Sequence, residues 1–141
     1  MSAKTYDPKQ IVLIVGGFQL SGYADGTFVN VDRNEDMYTL QIGADGEGVR
    51  SKSNNRSGTV TFSLLQSSAS NEILSAFAKA DELSNSGVFP LLIKDTSGTS
   101  IYAAEMAWIK KIASSEFGNE AGAREWAIET DRLEAFVGKH N

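Results

Sequence analysis

The sequence predicts a mainly β fold carrying one α-helix. Three observations predict it. Several short runs alternate apolar and polar residues with period two, glycine-rich turns separate them, and a single segment repeats its apolar residues with helical spacing.

In chain order, Gln10 to Val15 is a continuous aliphatic run ended by Gly16-Gly17, which reads as a buried strand. Thr27 to Asp32 alternates in period two behind the turn residues Ala24-Asp25-Gly26. These two runs are expected to pair through a loop around Ser21-Gly22-Tyr23. Met37 to Ile42 alternates next, with Tyr38, Leu40 and Ile42 on one face and Met37, Thr39 and Gln41 on the other. Thr59 to Leu64 follows, with Thr59, Thr61 and Ser63 opposite Val60, Phe62 and Leu64. Between them, Gly43 to Gly58 has almost no apolar content and reads as a long polar loop.

The helical segment spans Ala69 to Leu83 in this reading. Ser68 or Ser70 can cap it, Glu72 sits in its first turn, and Ile73, Phe77 and Ala80 share a face. Asn85-Ser86-Gly87 stops it and Pro90 lies just beyond. The last third returns to β. Val88 to Lys94 turns at Asp95-Thr96-Ser97-Gly98 into Ser100 to Ala113. The alanine content of that run also suits a helix, but its Trp and Ile spacing favours a strand. A glycine-rich reversal at Glu116 to Gly122 then leads into one strand from Arg124 to Phe136. The order is β-β-β-loop-β-α-β-β-β in a single domain over residues 1–141, with the polar loop at 43–58 and no internal repeat.

Composition narrows the function. Apolar residues make up 41% and charged residues 22%, enough to bury a core. Thirteen Lys and Arg against eighteen Asp and Glu give a net charge of -5, which argues against a dedicated nucleic-acid binder. Absent cysteine excludes disulfides, thiolate metal sites and a Cys nucleophile. The one histidine, His140, stands next to last, so catalysis by a positioned imidazole is disfavoured. The polar N-terminus has no signal-peptide pattern, and the longest strictly apolar run, Ile11 to Val15, is far below the roughly 20 residues of a spanning helix. Folding in a cytoplasm is expected, and the sequon Asn55-Arg56-Ser57 then carries no glycosylation meaning.

Few motifs carry chemistry. Gly43-x-x-Gly46-x-Gly48 is not followed by a helix that could meet a phosphate. Asn30 to Asp36 spaces its oxygens like a calcium loop but has Glu35 where glycine belongs and Gln41 where the final Glu belongs. Glu105 sits mid-strand between Ala103 and Ala107, where a lone carboxylate on a solvated face is the ordinary reading, and Glu125, Glu129 and Asp131 share one strand face; paired carboxylates could do acid–base work if a cleft brought them together. Trp108, Trp126, Phe62, Phe77 and Phe89 are spread over different elements, as a shared core requires, although a carbohydrate platform would use the same residue types. In the polar loop Asp45 and Glu47 come first and Arg50, Lys52 and Arg56 after, which reads equally as a mobile solvated loop or as a segment that orders against a neighbouring subunit, its oppositely charged ends suiting head-to-tail stacking.

Taken with the opening Tyr6-Asp7-Pro8-Lys9-Gln10-Ile11 and the closing Arg124-Glu125-Trp126-x-Ile128 through Val137-Gly138, the pattern resembles the tail tube proteins of contractile-tailed bacteriophages. It is more distantly similar to the tube proteins of type VI secretion systems. The resemblance implies two packed antiparallel sheets, sandwich- or barrel-like, flanked by a helix. It implies hexameric rings stacked into a tube, with strands of all subunits joined into a lumen barrel and the long loop reaching a neighbour. The implied partners are further copies of the chain, the tail sheath, the tape-measure protein, baseplate and tail-terminator proteins, and double-stranded DNA that passes through without specific binding. No cofactor, metal, membrane or catalytic residue is implied, and the location is the virion tail, assembled in the host cytoplasm. Thr39, Gln41, Thr59, Thr61, Ser63, Glu105, Glu125, Glu129 and Asp131 are the candidates to face the lumen. Asp45, Glu47, Arg50, Lys52 and Arg56 are the candidates for contacts between subunits or rings. A secretion tube and a small-ligand-binding β domain are the alternatives.

Overall fold

A computed structural model describes residues 3–26 and 28–140. Its elements in chain order are β1 (Ile11–Val15), β2 (Phe18–Gln19), β3 (Val29–Arg33), β4 (Tyr38–Ile42), β5 (Gly48–Lys52), β6 (Gly58–Leu65), α1 (Ser70–Ser84), β7 (Phe89–Asp95), β8 (Ile101–Lys111), β9 (Ala123–Thr130) and β10 (Glu134–Phe136). Eight strands form one antiparallel sheet in the order β2-β1-β7-β8-β9-β6-β3, with β10 also on β8. A separate pair, β4 and β5, makes a second sheet.

The long strand β8 turns the large sheet into two layers. Its first half, Ile101 to Ala107, pairs with β7, while Ala107 to Lys111 pairs with β9. Register shifts between Phe89 and Leu91 of β7 and between Ile109 and Lys111 of β8 bend the strand, as bulges do. Leu13, Val15, Phe89, Leu91 and Ile93 of one layer then share a core with Val60, Phe62, Leu64, Trp126 and Ile128 of the other. Residues 20–24 stitch the layers at one end: Leu20 N–H donates to Leu13 O, Leu65 N–H to Gly22 O, and Tyr23 bridges Leu64.

Helix α1 closes the core through Leu74 and Ala78, with Phe77 4.8 Å from Phe89 between ring centroids. The buried stripe is Ser70, Leu74 and Ala78, flanked by half-buried Ile73, Phe77 and Ala80. Its centre is one residue past the expected one. Ser68 Oγ accepts the Ser70 N–H at 3.2 Å, and Asn85 at φ 56° ends the helix in the left-handed conformation.

Several expectations are corrected. The runs 10–15 and 27–32 do not pair. β1 pairs with β2 and β7, because Gly16 and Gly17 at φ 57° and 87° reverse the chain at once, and β3 pairs with β6. Thr27, the expected start of that strand, lies outside the described residues. The run 124–136 is two strands, interrupted where Leu133 turns inward to full burial and its N–H donates to Arg56 O. Trp108 is not in the core. Ala107 and Ile109 take the inward positions of β8, so Trp108 faces out opposite Glu129. Most consequential, Gly43 to Gly58 is no open loop. Gly43 to Glu47 make the turn, with Gly46 at φ 90° and Asp45 Oδ1 accepting the Glu47 N–H, and Gly48 to Lys52 return as β5.

Candidate assembly surfaces

The second layer, β3-β6-β9-β8, is a four-stranded sheet with one apolar and one polar face. Inward residues of β6 and β9 (Val60, Phe62, Leu64, Trp126, Ile128) are buried, so strand alternation forces Thr59, Thr61, Ser63, Glu125, Ala127 and Glu129 outward. Register places Asp32 beside Thr59, Thr59 beside Glu129, Thr61 beside Ala127 and Ser63 beside Glu125. Lys110 Nζ lies 3.4 Å from Glu129 Oε2, and Lys111 sits with Ser63 and Glu125 along a shallow groove of about 440 Å³. Three carboxylates (Asp32, Glu125, Glu129) thus meet two ammonium groups on a hydroxyl-rich surface. Such a face is wet and nearly balanced in charge.

Both lateral edges of this sheet are open among the described residues. Ser63 N–H donates to Phe28 O and Asn34 N–H to Ser57 O, so the even-numbered residues of β3 bond to β6. Val29, Val31 and Arg33 therefore present their backbone groups to the outer edge. On the opposite side, β7 leaves β8 at Ala107, and nothing described pairs with residues 108–111 there. A groove of about 460 Å³ runs beside that edge, between Ile109 to Ile112 and Ala78, Asp81, Glu82 and Asn85 of the helix.

Beyond Arg33 and Gly58 the β3–β6 pair continues as a ribbon. Asn34 bonds Ser57, Ser53 bonds Met37, and Tyr38 pairs with Lys52, so β4–β5 extends the same two strands off the end of the sheet. Three residue steps on the outgoing side match four on the returning side, which places a bulge at 53–57. All ten strand residues are exposed, including Leu40 at 68% and Ile42 at 62%. Cross-strand register puts Arg50 opposite Leu40 and Lys52 opposite Tyr38, and the Arg50 guanidinium carbon lies 4.3 Å from the Tyr38 ring centroid. One face of the ribbon is therefore apolar and cationic.

At the other end of the sheet, residues 112–122 join β8 to β9. Buried Arg124 organises this turn, donating to Glu116 O at 3.4 Å, to Gln66 Oε1 at 3.3 Å and to Ala123 O at 3.1 Å. Gln66 Oε1 also accepts the Gly122 N–H, and Gln66 N–H donates to Gly122 O. Neighbouring Trp126 donates its indole N–H to Asn71 Oδ1 at 2.9 Å, tying β9 to the helix. The Arg124-Glu125-Trp126 sequence is thus a structural clasp, with only Glu125 facing out.

The expected lumen residues divide into groups. Thr59, Thr61, Ser63, Glu125 and Glu129 come together on the polar sheet face. Thr39 and Gln41 lie on the ribbon, on the face opposite Tyr38. Glu105 and Asp131 line a separate cleft of about 450 Å³ with Met106, Arg132 and Glu134. There the hydrogen bond from Arg132 Nε, 3.0 Å away, holds the Glu134 carboxyl below its usual range. Of the expected contact residues, Asp45 and Glu47 occupy the ribbon tip, Arg50 and Lys52 lie on β5, and Arg56 stands at the root beside Arg132. Asn30 and Asp32, read as oxygens of a possible calcium loop, are extended residues of β3. Sequence reasoning missed Asp32, Lys110 and Lys111 on the sheet face, and the unpartnered apolar side of the ribbon. Alternation of Tyr38, Leu40 and Ile42 was the available signal, since nothing in 48–52 supplies a matching apolar face.

Residues 9–138 match the family model described as the bacteriophage PhiTE tail tube protein. A "Structural protein ORF10" of Pseudomonas phage KPP10 is 33% identical over 132 residues, covering 88% of this chain and 76% of the relative. Among solved structures, a chain of the sheath/tube terminator of an extracellular contractile injection system (PVC, extended state) superposes with a TM-score of 0.66 at 12% identity, over 97% of this chain and 100% of that one. The tube-terminating cap of the anti-feeding prophage gives 0.64 at 10% identity, over 100% and 95%. At these identities the structural likenesses speak for the fold.

Proposed function

The chain belongs to the bacteriophage PhiTE tail tube protein family, structural and non-enzymatic components of the phage tail, and on that premise we propose that its copies close into hexameric rings that stack as a DNA-conducting tube. One observation carries this reading: the four-stranded sheet has a polar face and an open strand edge on each side. Strand direction alternates across β3, β6, β9 and β8. In a ring about one axis, β3 of one copy therefore meets residues 108–111 of the next copy's β8 antiparallel, which continues the alternation without a break. Closure removes every lateral edge, the liability that otherwise invites uncontrolled pairing.

The lumen would then carry Asp32, Thr59, Thr61, Ser63, Trp108, Lys110, Lys111, Glu125 and Glu129 from each copy. Duplex DNA bears about one negative charge per 1.7 Å, so a basic lining would hold it by counterion release. A hydroxyl-rich lining with a slight acidic excess lets it slide. Ribbon β4–β5, with Asp45, Glu47, Arg50, Lys52 and Arg56 along it, reaches the next ring. Sheath, tape-measure, baseplate and tail-terminator proteins are the further partners of this reading.

The test uses purified protein in negative stain and sedimentation. Rings or tubes are expected, and a strictly monomeric species at every concentration overturns the proposal. Val31→Pro removes an outward N–H of β3 without touching the β6 ladder, and proline is tolerated on an edge strand. The variant is expected to stay folded by circular dichroism and to lose rings; rings at wild-type yield would refute lateral strand addition.

A further inference from the structure

We propose that the acceptor for the β4–β5 ribbon is the β8–β9 turn, residues 112–122, of a second copy in the adjoining ring. This rests on the stacked-ring reading and assigns the two halves of its axial contact.

Position is the first argument. The ribbon leaves the sheet at Arg33 and Gly58, whereas the turn begins beyond Lys111 and ends at Ala123, which pairs with Leu65. The two features are separated by the full length of β6, eight residues and roughly 23 Å at 3.3 Å per step. Because the ribbon continues the β3–β6 pairing beyond Arg33 and Gly58, it leaves the sheet at the end away from its own copy's turn. Translation along the strand direction brings it to the turn of the next copy. A contact between two different patches, repeated by translation, makes an open head-to-tail stack.

Chemistry is the second. The apolar side of the ribbon combines Tyr38, Leu40 and Ile42 with Arg50 and Lys52, while its acids lie at the two ends, Asp45 and Glu47 at the tip and Glu35 and Asp36 at the root. The turn combines exposed Ile112 and Phe117, the latter at 86%, with Glu116 and Glu120, and contains no Lys or Arg. The nearest cations are Lys111 at its root and Arg124, whose guanidinium is engaged with Gln66, Glu116 and Ala123 and lies 5.3 Å from the Phe117 ring centroid. Apolar area and opposite charge therefore face each other across the junction. Arg124 holds the turn in place beforehand, which lowers the ordering cost of docking.

Charge reversal tests the pairing. Variant one carries Arg50→Glu and Lys52→Glu, and variant two carries Glu116→Lys and Glu120→Lys; all four sites are exposed, and melting curves check the fold. Each variant is expected to form rings that do not stack, raising the concentration needed for tubes by about tenfold or more. Combining all four substitutions in one chain restores tubes. Mixing preformed rings of the two variants also restores tubes, because each mixed junction pairs opposite charges. Phe117→Ser, neutral in charge, weakens stacking and leaves rings intact. Wild-type stacking by variant two, or no recovery on mixing, overturns the acceptor assignment while the ring reading stands. If the wild-type chain forms no rings, the ring reading itself fails.

Discussion

At the scale of single residues, two positions show how the fold constrains chemistry. Tyr23 packs 5.0 Å from Phe28 between ring centroids, and its buried hydroxyl has no hydrogen-bond partner among the described residues. Burial pushes its pKa up from 10.0 to about 12. Above pH 10 the unfolded chain releases this proton while the folded chain keeps it, so stability falls as pH rises from 10 toward 12. Tyr23→Phe should leave thermal stability at neutral pH unchanged or slightly higher, because an unsatisfied polar group is removed. It should also flatten the alkaline decline, which melting curves between pH 9 and 12 measure. Gly58 offers the opposite case. A Cβ there would lie 2.6 Å from Leu133 Cδ2 and 3.1 Å from Asp32 O, where the root of the ribbon meets the buried leucine. Gly58→Ala is expected to cost about 1–3 kcal/mol in denaturant unfolding, the usual penalty of forcing volume into a packed site.

Element by element, the lesson lies in the ribbon. Alternation in Tyr38 to Ile42 announces a strand, yet Gly48 to Lys52 reads as loop because it carries one apolar residue among glycine, serine and charges. Backbone pairing to β4 makes it a strand all the same, and that information is not local to 48–52. Helix α1 is the reverse case. Its limits come within a residue of those read from Ser68, Asn85 and Gly87, since capping and termination are local. Replacing 39–51 by a short glycine linker should therefore leave circular dichroism and melting temperature close to wild type, because no residue of β4 or β5 is buried. Stacked tubes should vanish and rings persist. A large fall in melting temperature would show that the ribbon supports the fold.

For the whole molecule, core membership was largely legible and its division into layers was not. Val60, Phe62, Leu64, Trp126 and Ile128 alternate visibly, and each is buried where its period places it. Trp108 misleads, because a large aromatic on an outward position looks the same in sequence as one on an inward position until the register is known. Glu125 and Glu129 were legible as one face, but Asp131, read onto the same face, lies past the end of β9 in the separate cleft, and Thr59 and Asp32, which continue the face, come from strands far away in the chain. The expected pairing of 10–15 with 27–32 fails for a related reason: strand partners are chosen by packing and turn geometry, not by nearness alone.

By itself the sequence determined the fold class, the one helix and its ends, the alternation that separates polar from apolar faces, and the absence of cysteine chemistry. Those properties are set by local conformational preference and by side-chain period, which neighbouring residues carry. Only the tertiary structure decided which strands share a sheet, that β8 bends to serve two layers, that 43–58 carries half a hairpin, and that ribbon and acidic turn lie at opposite ends of one sheet. Those outcomes depend on hydrogen bonds and burial between residues tens of positions apart, which no local pattern encodes.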